Sequence, residues 1–174
     1  MNPLRLLFAA TLIVSSAGTA AQSPSDAQIA SIVVVANEVD IDAGRVAESK
    51  ASGANVKAFA KQMITDHTGV NKQAVALATK LGVVPEDNPT SQGLKKGGED
   101  NVKSLSLLRG TAFDKAYIDH EVVYHQKVLD AIDKTLIPSA RNADLKALLV
   151  AVRPAFVGHL EHAKQIQASL GKGR

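Results

Sequence analysis

Four residues stand where a helical core would normally be apolar: His67, Glu121, His125 and His159. At about 100° per residue, His67 falls near the centre of the stripe Val56, Phe59, Ala60, Met63, Val70, Ala74, Leu77, Ala78, Leu81. Glu121 and His125 are four apart and point the same way, flanked by Tyr117, Ile118, Val128 and Ile132. His159 lies one turn after Phe156 and one before Ala163. Glu38 and Asp42 sit on a flank of the first helix beside Val35, and His162 sits at the edge of the last stripe. Neutral imidazole and carboxylate are good ligands for zinc, iron, manganese, nickel or copper. Brought together, these side chains could hold such an ion or a small ligand. The competing reading is plain: a core histidine usually spends its nitrogens on hydrogen bonds, and a Glu121–His125 pair could only fix helix register.

The helices must bring these residues to one height. The apolar period is helical nearly throughout, giving an all-α chain. Helices are expected at about 26–51, 55–82, 111–137 and 142–170. Ser25 with Gln28 reads as a capping box, Asn55 can cap the second helix, and Thr111 with Asp114 opens the third. Gly82 and Pro85 stop the second helix, and Pro85, Pro89, Gly93, Gly97 and Gly98 predict an irregular stretch over 83–101. A short helix from about Glu99 to Leu108 follows. Pro154 interrupts the ladder of the last helix, freeing the carbonyl of Val150. His67, Glu121 and His125 are near mid-helix, as are Glu38 and Asp42, while His159 is a turn past the middle. Mid-helix positions share a level whether neighbours run parallel or antiparallel.

Loop lengths set the topology. The first and second helices, and the third and fourth, are joined by a few residues each, so each pair is an antiparallel hairpin. Residues 83–101 could span roughly 60 Å extended, whereas a helix of about 27 residues is only about 40 Å long. The chain can return along the whole bundle, making the second and third helices parallel. This is the ferritin-like four-helix arrangement, with an up-down-up-down bundle as the alternative.

Composition narrows the function. Leu6 to Val14 is an apolar run after Arg5, too short to span a bilayer, and small residues follow to Ala21. This pattern reads as a secretory signal over residues 1–21, cut after Ala20 or Ala21, leaving residues 22–174 as one periplasmic or secreted domain with no integral membrane span. With no cysteine in the 174 residues, neither lipid attachment through a thiol nor a disulfide is available. The formal charge is +3, bases and acids alternate, and tryptophan is absent, which gives no footprint for nucleic acid. Neither a phosphate loop nor a nucleophile elbow occurs.

Several strings resemble a known family. Ala36-Asn37-Glu38-Val39, Val56-Lys57-Ala58-Phe59-Ala60, Met63-Ile64-Thr65-Asp66-His67, Phe113-Asp114 with Tyr117-Ile118, His125, and Pro154 with His159-Leu160 are similar to the bacterial exported proteins of domain of unknown function family 4142. The resemblance covers nearly all of the chain after the leader. It implies a ferritin-like fold with inward histidines, the label of an outer membrane protein, and no established activity. A di-iron centre of that superfamily would need a carboxylate three residues before a histidine on two helices. Ile64, Phe156 and His159 occupy the positions three before His67, His159 and His162. The expected site is therefore nitrogen-rich and closer to mononuclear. Two other readings stand beside it: a non-catalytic envelope stress or interaction protein, and an oxidase or peroxide-handling metalloenzyme.

Overall fold

The computed structural model describes residues 23–171, and the leader expected over residues 1–21 lies outside them. The described residues form helices and no strand: α1 (Asp26–Lys50), α2 (Ala54–Leu81), α3 (Pro89–Ser106), α4 (Gly110–Ala131), a π-helical turn (Ile132–Leu136), α5 (Ile137–Ser139) and α6 (Ala143–Gly171). Among them, no helix is long and apolar enough to cross a membrane.

Helix ends follow from side-chain chemistry. Ser25 Oγ accepts from the Gln28 amide, and Gln28 returns the bond to the Ser25 amide. Gly82 ends α2 with φ of 63°, a left-handed conformation that costs a glycine nothing. The second helix is capped differently from the expectation at Asn55: its N-cap is Gly53, and the carboxylate of Asp114 accepts from the Ser52 and Gly53 amides and the Ser52 hydroxyl. Asp114 thus leaves its own helix end and ties the start of α4 to the α1–α2 corner. At the opposite end, Asp26 accepts from the amides of Arg141 and Asn142, joining the start of α6 to the start of α1.

These ties fix the topology. α1 packs on α2, α4 packs on α6, and α2 also meets α6. The chain leaves α2 beside the start of α1, where the Glu86 amide donates to the Ala27 carbonyl. It then returns along α1 to Lys50, whose ammonium donates to the carbonyls of Leu105 and Ser106. α2 and α4 therefore start at the same end and run parallel, as two hairpins joined by a crossover require.

That crossover is more ordered than its glycines suggest. α3 begins at Pro89, well before the expected Glu99. Asn88 caps it with a reciprocal bond to Ser91, and proline at the first turn loses no ladder bond. Gly98 is needed for contact: a Cβ there would meet the Val39 side chain at 2.7 Å. The expected regular helix through Ile137 instead widens into the π-helical turn. Pro138 offers no amide and its ring crowds the carbonyl four residues back, while Ile137 bonds to Ile132, five back. Pro154 stays within α6 on its exposed side.

The core is split in two. One apolar cluster, including Ile29, Val70, Leu136 and Leu149, fills the end where α1 starts. The other, including Phe59, Met63, Phe113 and Tyr117, fills the end where α1 finishes. Between them lies a polar layer.

Candidate metal centre

Three of the four inner helices contribute an imidazole to this layer, and the fourth contributes a carboxylate. His67 comes from α2, His125 from α4, His159 from α6, and all are at most 2 % exposed. Their ring centroids form a nearly equilateral triangle with sides of 5.6, 5.3 and 5.4 Å. Asp40 of α1 is 1 % exposed and closes the layer, with Oδ2 3.1 Å from His67 Nε2 and 3.5 Å from His125 Nε2. Glu121, fully buried one turn before His125, places Oε2 3.4 Å from His125 Nδ1.

Each imidazole has one nitrogen tied to an acceptor. Asn37 Nδ2 donates to the Val33 carbonyl at 2.8 Å, which turns its Oδ1 toward His67 Nδ1 at 2.7 Å. His67 must then carry its proton on Nδ1. His125 Nδ1 lies 3.0 Å from the Glu121 carbonyl, and His159 Nε2 lies 2.9 Å from Asp66 Oδ2. Carbonyl and carboxylate oxygens only accept, so these nitrogens are the donors. The nitrogens left over, His67 Nε2, His125 Nε2 and His159 Nδ1, are buried without a hydrogen-bond partner among the described residues. So are both oxygens of Asp40 and both of Glu121. Metal-binding histidines show this division of labour, with the outer N–H pinned and the inner lone pair presented.

The spacing suits an ion. The three histidines offer ligand atoms within 4.8 Å of one another, and so do Asp40, Glu121 and His125. Ligands about 2.1 Å from one ion in tetrahedral geometry lie roughly 3.4 Å apart. The Asp40 contacts at 3.1 and 3.5 Å bracket that value; the histidine triangle would close by a small amount.

Without a cation the layer resists charge. Burial holds the Asp40 carboxyl well above its usual range, with the Glu121 carboxyl adding to the effect. Burial likewise raises Glu121 to about 8. Burial pushes His67 well down, helped by its neighbours His125 and His159, and pushes His125 down to about 4 despite its bond to the Glu121 carbonyl. His159 is lowered by burial, against the pull of Asp66. The 3.1 Å His67–Asp40 contact has the geometry of an ion pair, yet both shifts favour its neutral form. One proton on Asp40 can serve His67, but it leaves His125 Nε2 and His159 Nδ1 facing the same space.

The other expected residues go elsewhere. Glu38 and Asp42 are exposed and line a surface groove between α1 and α3, with Arg45 and Lys95. Their flank faces α3 because α1 is covered on two sides. His162 lies a turn along α6, bonded to Gln62 Oε1 at 3.1 Å and edge-on to Phe59. His120 stacks on Tyr124, whose hydroxyl donates to the Ala36 carbonyl at 2.7 Å. Asp40 was missed, though a signal existed: it lies seven residues after Val33 and seven before Ala47, on the inner stripe of α1. The outer stripe Ile32, Val39, Val46, which includes the residue that meets α3, pulled the apparent apolar centre away from it. Asn37 and Asp66, the outer acceptors, stand within the strings that carry the family resemblance, but nothing in their spacing marks them as acceptors for an imidazole.

The fold and site define a class: an all-helical two-hairpin bundle with a buried histidine and carboxylate layer able to hold a metal ion. Residues 13–166 match the family described as Domain of unknown function (DUF4142), and the chain belongs to it. No curated protein and no solved structure matches the chain.

Proposed function

We propose that this protein is an exported metal-binding bundle. It would hold one transition-metal ion on His67 Nε2, His125 Nε2, His159 Nδ1 and an Asp40 oxygen, with Glu121 as a fifth donor or as the acid that keeps the layer neutral. Export rests on the leader pattern of residues 1–21. One observation carries the metal reading: every imidazole in the layer has its outer nitrogen fixed and its inner nitrogen unpartnered, aimed at a shared space with a carboxylate. Three nitrogens and a carboxylate suit zinc, iron, manganese, nickel or copper, and the set excludes a hard, all-oxygen ion such as calcium.

A purely structural layer is the competing reading, in which Asp40 keeps its proton and hydrogen-bonds His67. Tag-free protein analysed for bound metal, then stripped and titrated with Co²⁺ as an optical probe, separates the two. The metal reading expects one equivalent bound, with visible bands of low-symmetry nitrogen and oxygen ligation. It is abandoned if neither Co²⁺ nor Zn²⁺ binds or raises the melting temperature of the stripped wild-type protein.

A further inference from the structure

A cavity of about 100 Å³ runs beside the polar layer, lined by residues of α1, α2, α3, α4, the π-helical turn and α6. Its exposed lining residues are Thr90 and Lys127, which mark the mouth between α3 and α4. Its buried lining includes His67, Asn37, Ile132, Leu149 and Phe156. The Phe156 ring stacks on the His67 imidazole, with centroids 5.1 Å apart and planes 9° from parallel, so the inner wall is one face of aromatic and apolar surface.

The polar groups of Asn37 and Tyr124 on this wall are already spent, and the unpartnered Nε2 of His67 faces Asp40 in the polar layer. Asn37 Nδ2 donates to the Val33 carbonyl, and Asn37 Oδ1 accepts from His67 Nδ1. The Tyr124 hydroxyl donates to the Ala36 carbonyl. Ordered water needs two to four polar partners, and the buried wall has few to give. Protein interiors are close-packed, and a dry void of this size forfeits contacts along its whole lining. Two devices keep it open: Ala36 puts a single methyl on the α1 wall, and the π-helical turn displaces Ile132 and Leu136 from regular α-helical positions.

We propose that this cavity is a binding chamber for one small uncharged apolar molecule, held against the His67 imidazole beside the metal centre. The chamber takes a molecule of a few non-hydrogen atoms, since an apolar cavity somewhat larger than this accepts benzene or xenon. Its place as the ligand side of a metal centre rests on the metal reading above; the binding itself does not.

Benzene and xenon are the probes, used on the whole protein, stripped and metal-loaded. Benzene should raise the melting temperature of wild type by about 3 °C, as a ligand selective for the folded state does. It should shift the NMR signals of the His67 ring more than those of His162, which is not in the lining. Xenon should give one saturable ¹²⁹Xe exchange site. Ala36→Leu and Val128→Phe, which fill the void from different helices, should each abolish these responses while retaining Co²⁺ binding. A wild-type shift below about 0.5 °C with no ¹²⁹Xe site overturns the chamber. So does a response that persists in both filled variants. Benzene binding without any metal binding would remove only the metal reading. Metal binding without benzene or xenon binding would remove only the chamber.

Discussion

Two aspartates are almost equally buried in this molecule, and their surroundings are opposite. Asp114, 2 % exposed, accepts from the Ser52 amide at 2.9 Å, the Ser52 hydroxyl at 2.5 Å and the Gly53 amide at 2.8 Å. Asp40, 1 % exposed, has no hydrogen-bond partner among the described residues and faces imidazole nitrogens that have none either. A buried carboxylate is costly unless its lone pairs are met. At the α1–α2 corner the backbone meets them, and the result is a joint. In the layer no hydrogen bond from the described residues meets them, and on the reading proposed above a cation would. Burial alone therefore says little about role; what distinguishes the two is whether the chain completes the coordination itself.

The sharpest way to break that contrast is to remove each carboxylate and read both stability and metal affinity. Asp40→Ala and His125→Ala should weaken Co²⁺ binding by more than about 100-fold, because loss of even an outer partner of a ligand costs 10–100-fold. Asp40→Asn should leave the stripped protein as stable as wild type or slightly more so, since it removes a desolvated acid with no hydrogen-bond partner. Asp114→Ala should do the reverse. It removes three part-buried hydrogen bonds to a carboxylate and should destabilise the fold by about 3 kcal/mol in urea unfolding, with metal affinity per folded molecule unchanged. If Asp40→Asn destabilises the stripped protein as much as Asp114→Ala does, both are structural and the contrast fails.

The fold was largely written in apolar spacing and loop length. The short connections near Ser52 and Asn142 force hairpins, and the long 82–109 connection permits the return that makes α2 and α4 parallel. Much of the site was written in the same way: His67, Glu121, His125 and His159 are polar interruptions at the centres of three stripes, and the structure brings them together. α1 was less legible because it is covered twice, by the bundle and by α3. An averaged apolar direction then falls between two faces, and Asp40 looks peripheral while Glu38 and Asp42 look plausible. The order in α3 was hidden for a related reason. Its glycines weaken the isolated helix, but Gly98 lets it seat on Val39, and a contact fifty-nine positions away along the chain leaves no local signal.

A smaller effect tests the outer acceptors. Asp66 is 41 % exposed at its side chain, yet it fixes the proton of His159 on Nε2. Asp66→Asn can still accept through its carbonyl but no longer polarises the ring, so Co²⁺ affinity should fall about 10-fold. Its exposure makes the stability cost small. Asn37→Ala should weaken binding by a similar factor and release His67 to adopt the other tautomer, visible in ¹⁵N-edited spectra. An unchanged affinity in both variants would mean that the pinned nitrogens do not orient the layer.

The last effect is in pH, and its sign follows from the carboxyls. Glu121 ionises near 4.5 when unfolded and near 8 when folded, so between these values the native state holds the extra proton and stability falls as pH rises. His125 acts oppositely: near 6.5 unfolded and near 4 folded, it adds stability as pH rises through that lower window. Above about 6.5 the imidazole contribution is complete and only the acid effect remains, with Asp40 shifted in the same direction. The melting temperature of stripped protein should therefore decline from pH 6.5 to 8. Glu121→Gln should reduce that decline, and adding Asp40→Asn should abolish it, while Asp114→Asn lowers the whole curve. Bound metal should flatten the decline as well, because a cation takes the place of the protons on the carboxyls. A stripped wild-type curve that is flat over this interval would show that the two acids do not carry protons in the folded core, and the contrast between Asp40 and Asp114 would then rest on hydrogen bonds alone.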